Sequence, residues 1–74
     1  MKLTVSEYVN GITYIFKEVP DSILKDVVRI KDENVKDSKK IIKELFNIRE
    51  NVYLWGVEGD TIIIICHKNE KESL

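Results

Sequence analysis

The clearest pattern in the chain is an amphipathic segment over residues 35–48. Apolar residues recur there every three or four positions, with lysines on the opposite side, as is typical of a helix with one buried stripe. Asn34 or Asp32 is placed to cap its start, and Asp37 favours the positive end of the helix dipole. The stripe contains Val35, Ser38, Ile41, Ile42, Leu45, Phe46 and Ile48.

A β-hairpin is predicted near the C-terminal end of the sequence. Residues 51–57 and 61–66 are rich in β-branched and aromatic side chains, and Gly59 between them supplies the positive φ that such a loop needs. Alternation along the first strand puts Val52 and Leu54 on one side. It puts Tyr53, Trp55 and Val57 on the other.

The first third of the chain admits two interpretations. Asn10-Gly11 between apolar residues is a hairpin signal, and residues 12–16 have high β-propensity. On a helix, however, the apolar residues of segment 8–19 fall on one face, with Ser6 at the N-cap position. The preferred interpretation is a helix that ends before Pro20, since proline pushes the preceding residue out of the α region. The residues of that face are Tyr8, Val9, Ile12, Ile15, Phe16 and Val19.

Short strands at residues 3–5 and 24–30 complete the order β-α-β-α-β-β. This order predicts an α/β (α+β) two-layer sandwich, with a four-stranded mixed sheet and two helices on one face. Residues 1–67 form a single domain in this interpretation, and the polar tail 68–74 is expected to fray. The alternative is a ββ-α-ββ hairpin–helix–hairpin domain.

Three stretches carry a family resemblance: residues 16–20, residues 27–33 with the helix after them, and residues 52–65. Their pattern and spacing resemble the TusA or SirA sulfur-carrier family, whose domains are two-layer sandwiches with the order given above. The family's Cys-Pro-x-Pro signature begins its first helix, and Ser6-Glu7-Tyr8-Val9 occupies that place here. The resemblance implies the fold but transfers no functional residue, because a serine hydroxyl cannot replace the thiolate that carries the sulfur.

Composition narrows the class of protein. The net charge of −1 argues against a general polyanion binder, and the single cysteine, Cys66, cannot form an internal disulfide, which fits a reducing, cytoplasmic compartment. The first residues lack the long apolar run of a signal peptide, and the longest aliphatic run, residues 62–65, is too short to cross a membrane. The bias towards Ile, Lys and Glu indicates an AT-rich genome or a thermophile.

Candidate chemistry is sparse. Cys66 and His67 are neighbours on a strand and point to opposite faces, so they cannot bind one metal ion together. The acidic pairs 32–33 and 58/60 lie in turns, with no sign of the shielded pocket that acid–base catalysis needs. We therefore expect no catalytic residue, no metal and no cofactor. The interpretation of Cys66 is a buried apolar residue, and a displaced sulfur carrier is the lowest-ranked alternative.

Two surfaces are candidates for binding. Lys36, Lys39, Lys40 and Lys43 form a basic helix face that could contact nucleic acid, although a solvated face explains it as well. The two-faced hairpin is more informative, because two helices can cover only one side of the sheet. We expect the other side to bind a protein partner, a second copy forming a homodimer. The predicted interface residues are Tyr53, Trp55, Val57, Ile63 and Ile65.

Overall fold

A computed structural model describes residues 1–68 of the chain. Within this range, one four-stranded sheet has the order β1-β2-β4-β3, and every neighbouring pair is antiparallel. The two helices share a single core with one face of the sheet, so the predicted α+β two-layer sandwich is confirmed. The elements are β1 (Lys2–Glu7), β2 (Gly11–Lys17), α1 (Asp21–Asp32), α2 (Ser38–Leu45), β3 (Asn51–Glu58) and β4 (Thr61–His67).

The first third forms a β-hairpin, and the predicted helix over residues 8–19 is wrong. Strand β2 lies in the middle of the sheet, so it carries apolar side chains on both faces, and these also align on a helical projection. Gly11 permits a close approach of β4, since a Cβ there would lie 3.1 Å from the Cys66 carbonyl oxygen. The alternative hairpin interpretation is correct for this segment, and the sheet is antiparallel rather than mixed.

The segment 24–30, predicted as a strand, lies within helix α1. Its buried residues, Val27 and Ile30, are three positions apart, and Val28 and Arg29 between them are exposed, which is the helical pattern. Pro20 precedes the helix instead of ending one, because the N–H groups of Ile23 and Leu24 donate to the Pro20 carbonyl oxygen. Residues 8–19, predicted as a helix, therefore contain a strand, and residues 24–30, predicted as a strand, lie in a helix.

Each helix ends at an asparagine in the left-handed region, with φ of 50° at Asn34 and 55° at Asn47. The N–H groups of Val35 and Ile48, one residue further on, donate to the carbonyls of Ile30 and Lys43, which is the Schellman arrangement. Asn34 thus ends α1 and does not cap α2. Helix α2 is accordingly shorter than the predicted 35–48, and Asp37 occupies its N-cap position.

The C-terminal hairpin is confirmed, with β3 and β4 joined around Gly59 at a φ of 62°. The Val19 N–H donates to the Asp60 carbonyl oxygen, which ties this turn to the start of the helical layer. Lys68 is held by the first hairpin, since its Nζ lies 2.8 Å from the Glu7 carboxylate. The remainder of the predicted frayed tail, residues 69–74, lies outside the described residues.

The core lies between the helices and one face of the sheet. Ile42, Ile62, Ile64 and Val27 are fully buried there, and the rings of Phe16 and Phe46 pack with centroids 4.6 Å apart. This core uses only one side of the sheet. The other core residues are Val19, Ile30, Ile48, Val52 and Cys66.

Candidate functional site

Strand β4 presents apolar side chains to both sides of the sheet. Ile62, Ile64 and Cys66 are buried beneath the helices, whereas Ile63 and Ile65 point to the opposite side because successive strand residues alternate. Both helices share the core on the covered side. The opposite side of the sheet therefore lacks a covering element among residues 1–68.

Four aliphatic residues form the centre of this uncovered side, which we call the open face: Ile15, Leu54, Ile63 and Ile65. Ile15 lies opposite Ile63, and Leu54 lies opposite Ile65, so the four side chains form two adjacent cross-strand pairs. Leu54 keeps 55% of its surface exposed and Ile63 keeps 38%. A contiguous exposed aliphatic patch of this kind is typical of an interaction surface.

A β-bulge in β3 divides the predicted interface residues between the two faces. The register on β4 shifts between Val52 and Leu54, which places Trp55 opposite the buried Ile64 and Val57 opposite the buried Ile62. Trp55 and Val57 therefore pack on the core. Of the five predicted residues, Ile63 and Ile65 lie on the open face, whereas Trp55 and Val57 lie on the covered side.

Tyr53 lies at the bulge and belongs to neither pair. Its ring is 55% exposed and meets the His67 ring edge-on, with centroids 4.8 Å apart. Because a bulge interrupts the alternation of side chains, simple parity placed Leu54 with the core and Trp55 outside. Ile15 was missed for a different reason, since its segment was predicted to be a helix.

The rim of the open face is polar and its charges are confined to one end. Thr4 lies beside Ile15, and Thr13 lies between Ser6 and Ile65 in the pairing of the strands. The threonines and serine leave the centre uncharged. At one end of the sheet, Lys2 lies opposite Lys17 in the strand register, with its Nζ 3.2 Å from the Glu18 carboxylate. Glu58 lies opposite Thr61 at the other corner of that end.

The predicted basic face is only partly assembled. Lys39, Lys40 and Lys43 line a groove between α2 and the start of β3, while Lys36 precedes the helix. Lys43 Nζ donates to Asn51 Oδ1 at 2.9 Å, and Lys39 Nζ lies 6.0 Å from the centre of the Tyr53 ring. Glu44 also lines the groove and offsets part of its positive charge. The groove is thus lined by three lysines, and the exposed Tyr53 ring lies beside one of them.

Cys66 lies on the covered side, next to a half-buried polar pair. Burial raises the pKa of its thiol, and the nearby Glu50 carboxylate raises it further. Tyr14 donates its hydroxyl to Glu50 Oε1 at 2.5 Å, and burial together with this hydrogen bond raises the pKa of Tyr14 to about 12. A buried, protonated thiol is a poor nucleophile, which argues against Cys66 as a sulfur carrier.

Two properties of residues 1–68 concern metal binding and membrane insertion. No group of three or more His, Cys, Asp or Glu side chains there is arranged to hold a metal ion. None of the helices in the same range is long and apolar enough to span a membrane.

No family model, no curated protein and no solved structure matches the chain. Strand β2 occupies most of residues 8–19, the segment compared with the first helix of the sulfur-carrier family. The geometry of the sheet is therefore the basis on which a function is inferred.

Proposed function

We propose that the chain is a non-catalytic protein-binding module that forms a homodimer by packing two open faces together. The observation that carries the proposal is the pair of aliphatic cross-strand contacts on the uncovered side, Ile15 with Ile63 and Leu54 with Ile65. A sheet with water on one side normally alternates apolar and polar residues. Four aliphatic side chains at the centre of that side fit a surface that is buried by a partner.

The size of the open face sets the strength of such a dimer. Strands of six to eight residues in a four-stranded sheet give a face of roughly 20 Å on each side. Packing two of these faces removes on the order of 1,000 Å² from water, which is near the lower limit for a specific interface. We therefore expect a dimer that dissociates on dilution.

Charge favours a second copy as the occupant. A two-fold axis parallel to the strands places β1 of one copy over β3 of the other. Lys2 on β1 and Glu58 on β3 lie at the same end of the sheet, so this arrangement brings them together twice, once on each side of the dimer. The uncharged rim of Thr4, Ser6 and Thr13 leaves no like charges opposed at the centre.

Light scattering after gel filtration tests the proposal with a matched pair of variants. Ile63 on the open face and Val28 on the outer side of α1 are both 38% exposed. Ile63→Lys places an unpaired charge in the interface, and we expect a monomer at concentrations where the wild type is a dimer. Val28→Lys should remain dimeric. A wild type that is monomeric at high micromolar concentration, or equal behaviour of both variants, contradicts the proposal.

A charge exchange tests the orientation of the two copies. Lys2→Glu and Glu58→Lys each oppose like charges across the interface, so each alone should weaken the dimer. The double variant restores both pairs with reversed sign and should recover most of the lost affinity. Exposed pairs contribute only about 0.2–1 kcal/mol each, so the affinities are best compared at low ionic strength, where screening is smallest.

The second candidate is binding of nucleic acid in the lysine groove. The observation in its favour is that Lys39 and Lys40 line the same groove as Lys43, with the exposed Tyr53 ring beside Lys39. Ammonium groups contact phosphates, and a base stacks on an exposed ring. Fluorescence anisotropy with a short single-stranded oligonucleotide should then show affinity that falls steeply with salt and is lost in Lys39→Glu/Lys40→Glu. Salt-independent or absent binding excludes this function.

A further inference from the structure

The two edges of the sheet differ in how they are protected. At the β3 edge, a bulge breaks the regular strand, Lys43 of α2 donates to Asn51 and Lys31 of α1 lies over Trp55. Strand β1, by contrast, runs in unbroken register along β2 for six residues and contains no proline. Natural sheets usually blunt an exposed edge with bulges, prolines or charges. Strand β1 carries charges only at its two ends, Lys2 and Glu7, and its middle residues are uncharged.

Strand β1 also carries apolar side chains that its own helices do not cover. Leu3 and Val5 lie on the same side of the sheet as the core, opposite Phe16 and Tyr14, yet they are 52% and 48% exposed. Residues 1–68 supply no strand to the outer edge of β1. The strand therefore has a regular unpaired edge next to an uncovered apolar side.

The hydrogen-bonding phase of the first hairpin shows which backbone groups that edge presents. The Tyr8 N–H donates to the Gly11 carbonyl oxygen at 2.8 Å, which makes Tyr8 and Gly11 a hydrogen-bonded pair. In an antiparallel ladder, hydrogen-bonded and non-hydrogen-bonded pairs alternate. It follows that the N–H and C=O groups of Leu3 and Val5 point outward, away from β2.

We propose that β1 pairs antiparallel with β1 of a second copy, so that the two sheets join into one of eight strands. Antiparallel self-pairing has a two-fold axis perpendicular to the sheet, which keeps the helices of both copies on the same side. Because this axis maps each face of the sheet onto itself, two residues can lie opposite each other across it only if their side chains point to the same face. The register centred on Thr4 then places Leu3 opposite the second copy's Val5, and their outward N–H and C=O groups are paired.

This register satisfies the side chains as well as the backbone. The two Leu3–Val5 pairs bring together four exposed aliphatic groups, and Thr4 meets its own copy across the axis as a threonine pair. Of the two neighbouring allowed registers, the one centred on Val5 places Leu3 opposite the charged Glu7, and the one centred on Leu3 overlaps only residues 2–4 of the strand. These features favour a second copy over an unrelated strand.

The edge contact is independent of the open face, because it uses the backbone of β1 instead of Ile15, Leu54, Ile63 and Ile65. A chain that uses both contacts assembles beyond a dimer. The edge contact is therefore best tested in the Ile63→Lys background, in which the proposed face contact is removed. Failure of one contact then leaves the other measurable.

Cysteine cross-linking tests the register directly. Across the axis, Thr4 and its copy form a non-hydrogen-bonded pair with Cα atoms about 4.5 Å apart, which a disulfide can bridge. In Ile63→Lys/Thr4→Cys, we expect a disulfide-linked dimer under mild oxidation. Ser6→Cys in the same background is the control, because two residues at position 6 lie roughly 13 Å apart in this register. The native Cys66 is 2% exposed and should not cross-link.

A proline substitution gives a second readout. Because the Val5 N–H points outward, Val5→Pro removes a donor of the edge contact without removing a hydrogen bond to β2. It should abolish the cross-link through Thr4→Cys, whereas Val5→Thr should retain it. Absence of a dimer with Thr4→Cys alone, equal cross-linking with Ser6→Cys, or cross-linking that survives Val5→Pro overturns the proposal.

Discussion

The two faces of strand β4 carry nearly the same side chains in different surroundings. Ile62 and Ile64 are fully buried beneath the helices, whereas Ile63 between them is 38% exposed. Hydrophobicity alone does not distinguish these positions, because all three are isoleucine. The difference lies in what covers them, since the helices pack on Ile62 and Ile64 and no element among residues 1–68 packs on Ile63.

The comparison also explains why a chain this short uses aliphatic residues on both faces. A domain of 74 residues buries a small core and has limited stability on its own. In the proposed dimer, burial of the open face by a second copy adds apolar contact that the two helices cannot supply.

The largest effect is expected from truncation on the covered face. Ile64→Ala leaves a cavity in the packed core and should lower the free energy of unfolding by about 3 kcal/mol. Ile63→Ala on the open face should cost less than about 1 kcal/mol, because its side chain is already partly in water. Urea unfolding at concentrations where the dimer dissociates measures both. Equal losses would show that the two faces are not different.

Thiol reactivity gives the next contrast. Cys66 is buried, and burial raises the pKa of its thiol, so it should react with a disulfide reagent at least about tenfold more slowly than the unfolded chain. The matched variant is Ile65→Cys/Cys66→Val, which moves the thiol to the open face. That thiol should react fast in the dissociated monomer and slowly in the dimer. Fast reaction of native Cys66 would contradict its placement.

A pH effect is expected from the polar pair at the end of the covered face. Burial and the hydrogen bond to Glu50 raise the pKa of Tyr14 from 10.0 to about 12, so the folded state holds this proton more tightly than the unfolded chain. The stabilisation is present below pH 10 and is lost as the pH rises through about 12. Glu50→Gln should lower the pKa of Tyr14, leaving the part due to burial. Phenolate absorbance measures the pKa of Tyr14. A pKa that is the same in Glu50→Gln and the wild type would argue against the Tyr14–Glu50 hydrogen bond.

The smallest effect is expected from the fluorescence of Trp55. Because Trp55 packs on the covered face, its emission should not change when the dimer is diluted to monomer. Leu54→Trp/Trp55→Phe moves the indole to the open face, and its emission should shift to longer wavelength on dissociation. A dilution-dependent shift in the wild type would instead favour the side-chain parity predicted without the bulge.

The sequence was sufficient for elements whose pattern has one interpretation. The C-terminal hairpin follows from Gly59 and its flanking β-branched residues, and the helix at 38–45 follows from the amphipathic stripe. The first third was not predictable in this way, because a central strand with two apolar faces gives the same projection as an amphipathic helix. Segment 24–30 was mistaken because its valines favour strands, while tertiary packing decides the outcome.

The sequence predicts the open-face residues correctly on β4 but not on β3. Simple alternation places Ile63 and Ile65 correctly on the side away from the helices. On β3 the bulge between Val52 and Leu54 reverses which residues face the helices, and no residue type in the sequence indicates this bulge. Trp55 was therefore assigned to the surface and Leu54 to the core. The open face became visible only once the register was known.

Intermolecular nuclear Overhauser effects test the central claim most directly. A dimer sample that mixes carbon-13-labelled and unlabelled protein reports only contacts between different copies. We predict such contacts at the isoleucine methyl groups of Ile15, Ile63 and Ile65, and none at Ile62 and Ile64. A dimer whose contacts leave out the three open-face isoleucines would contradict the account.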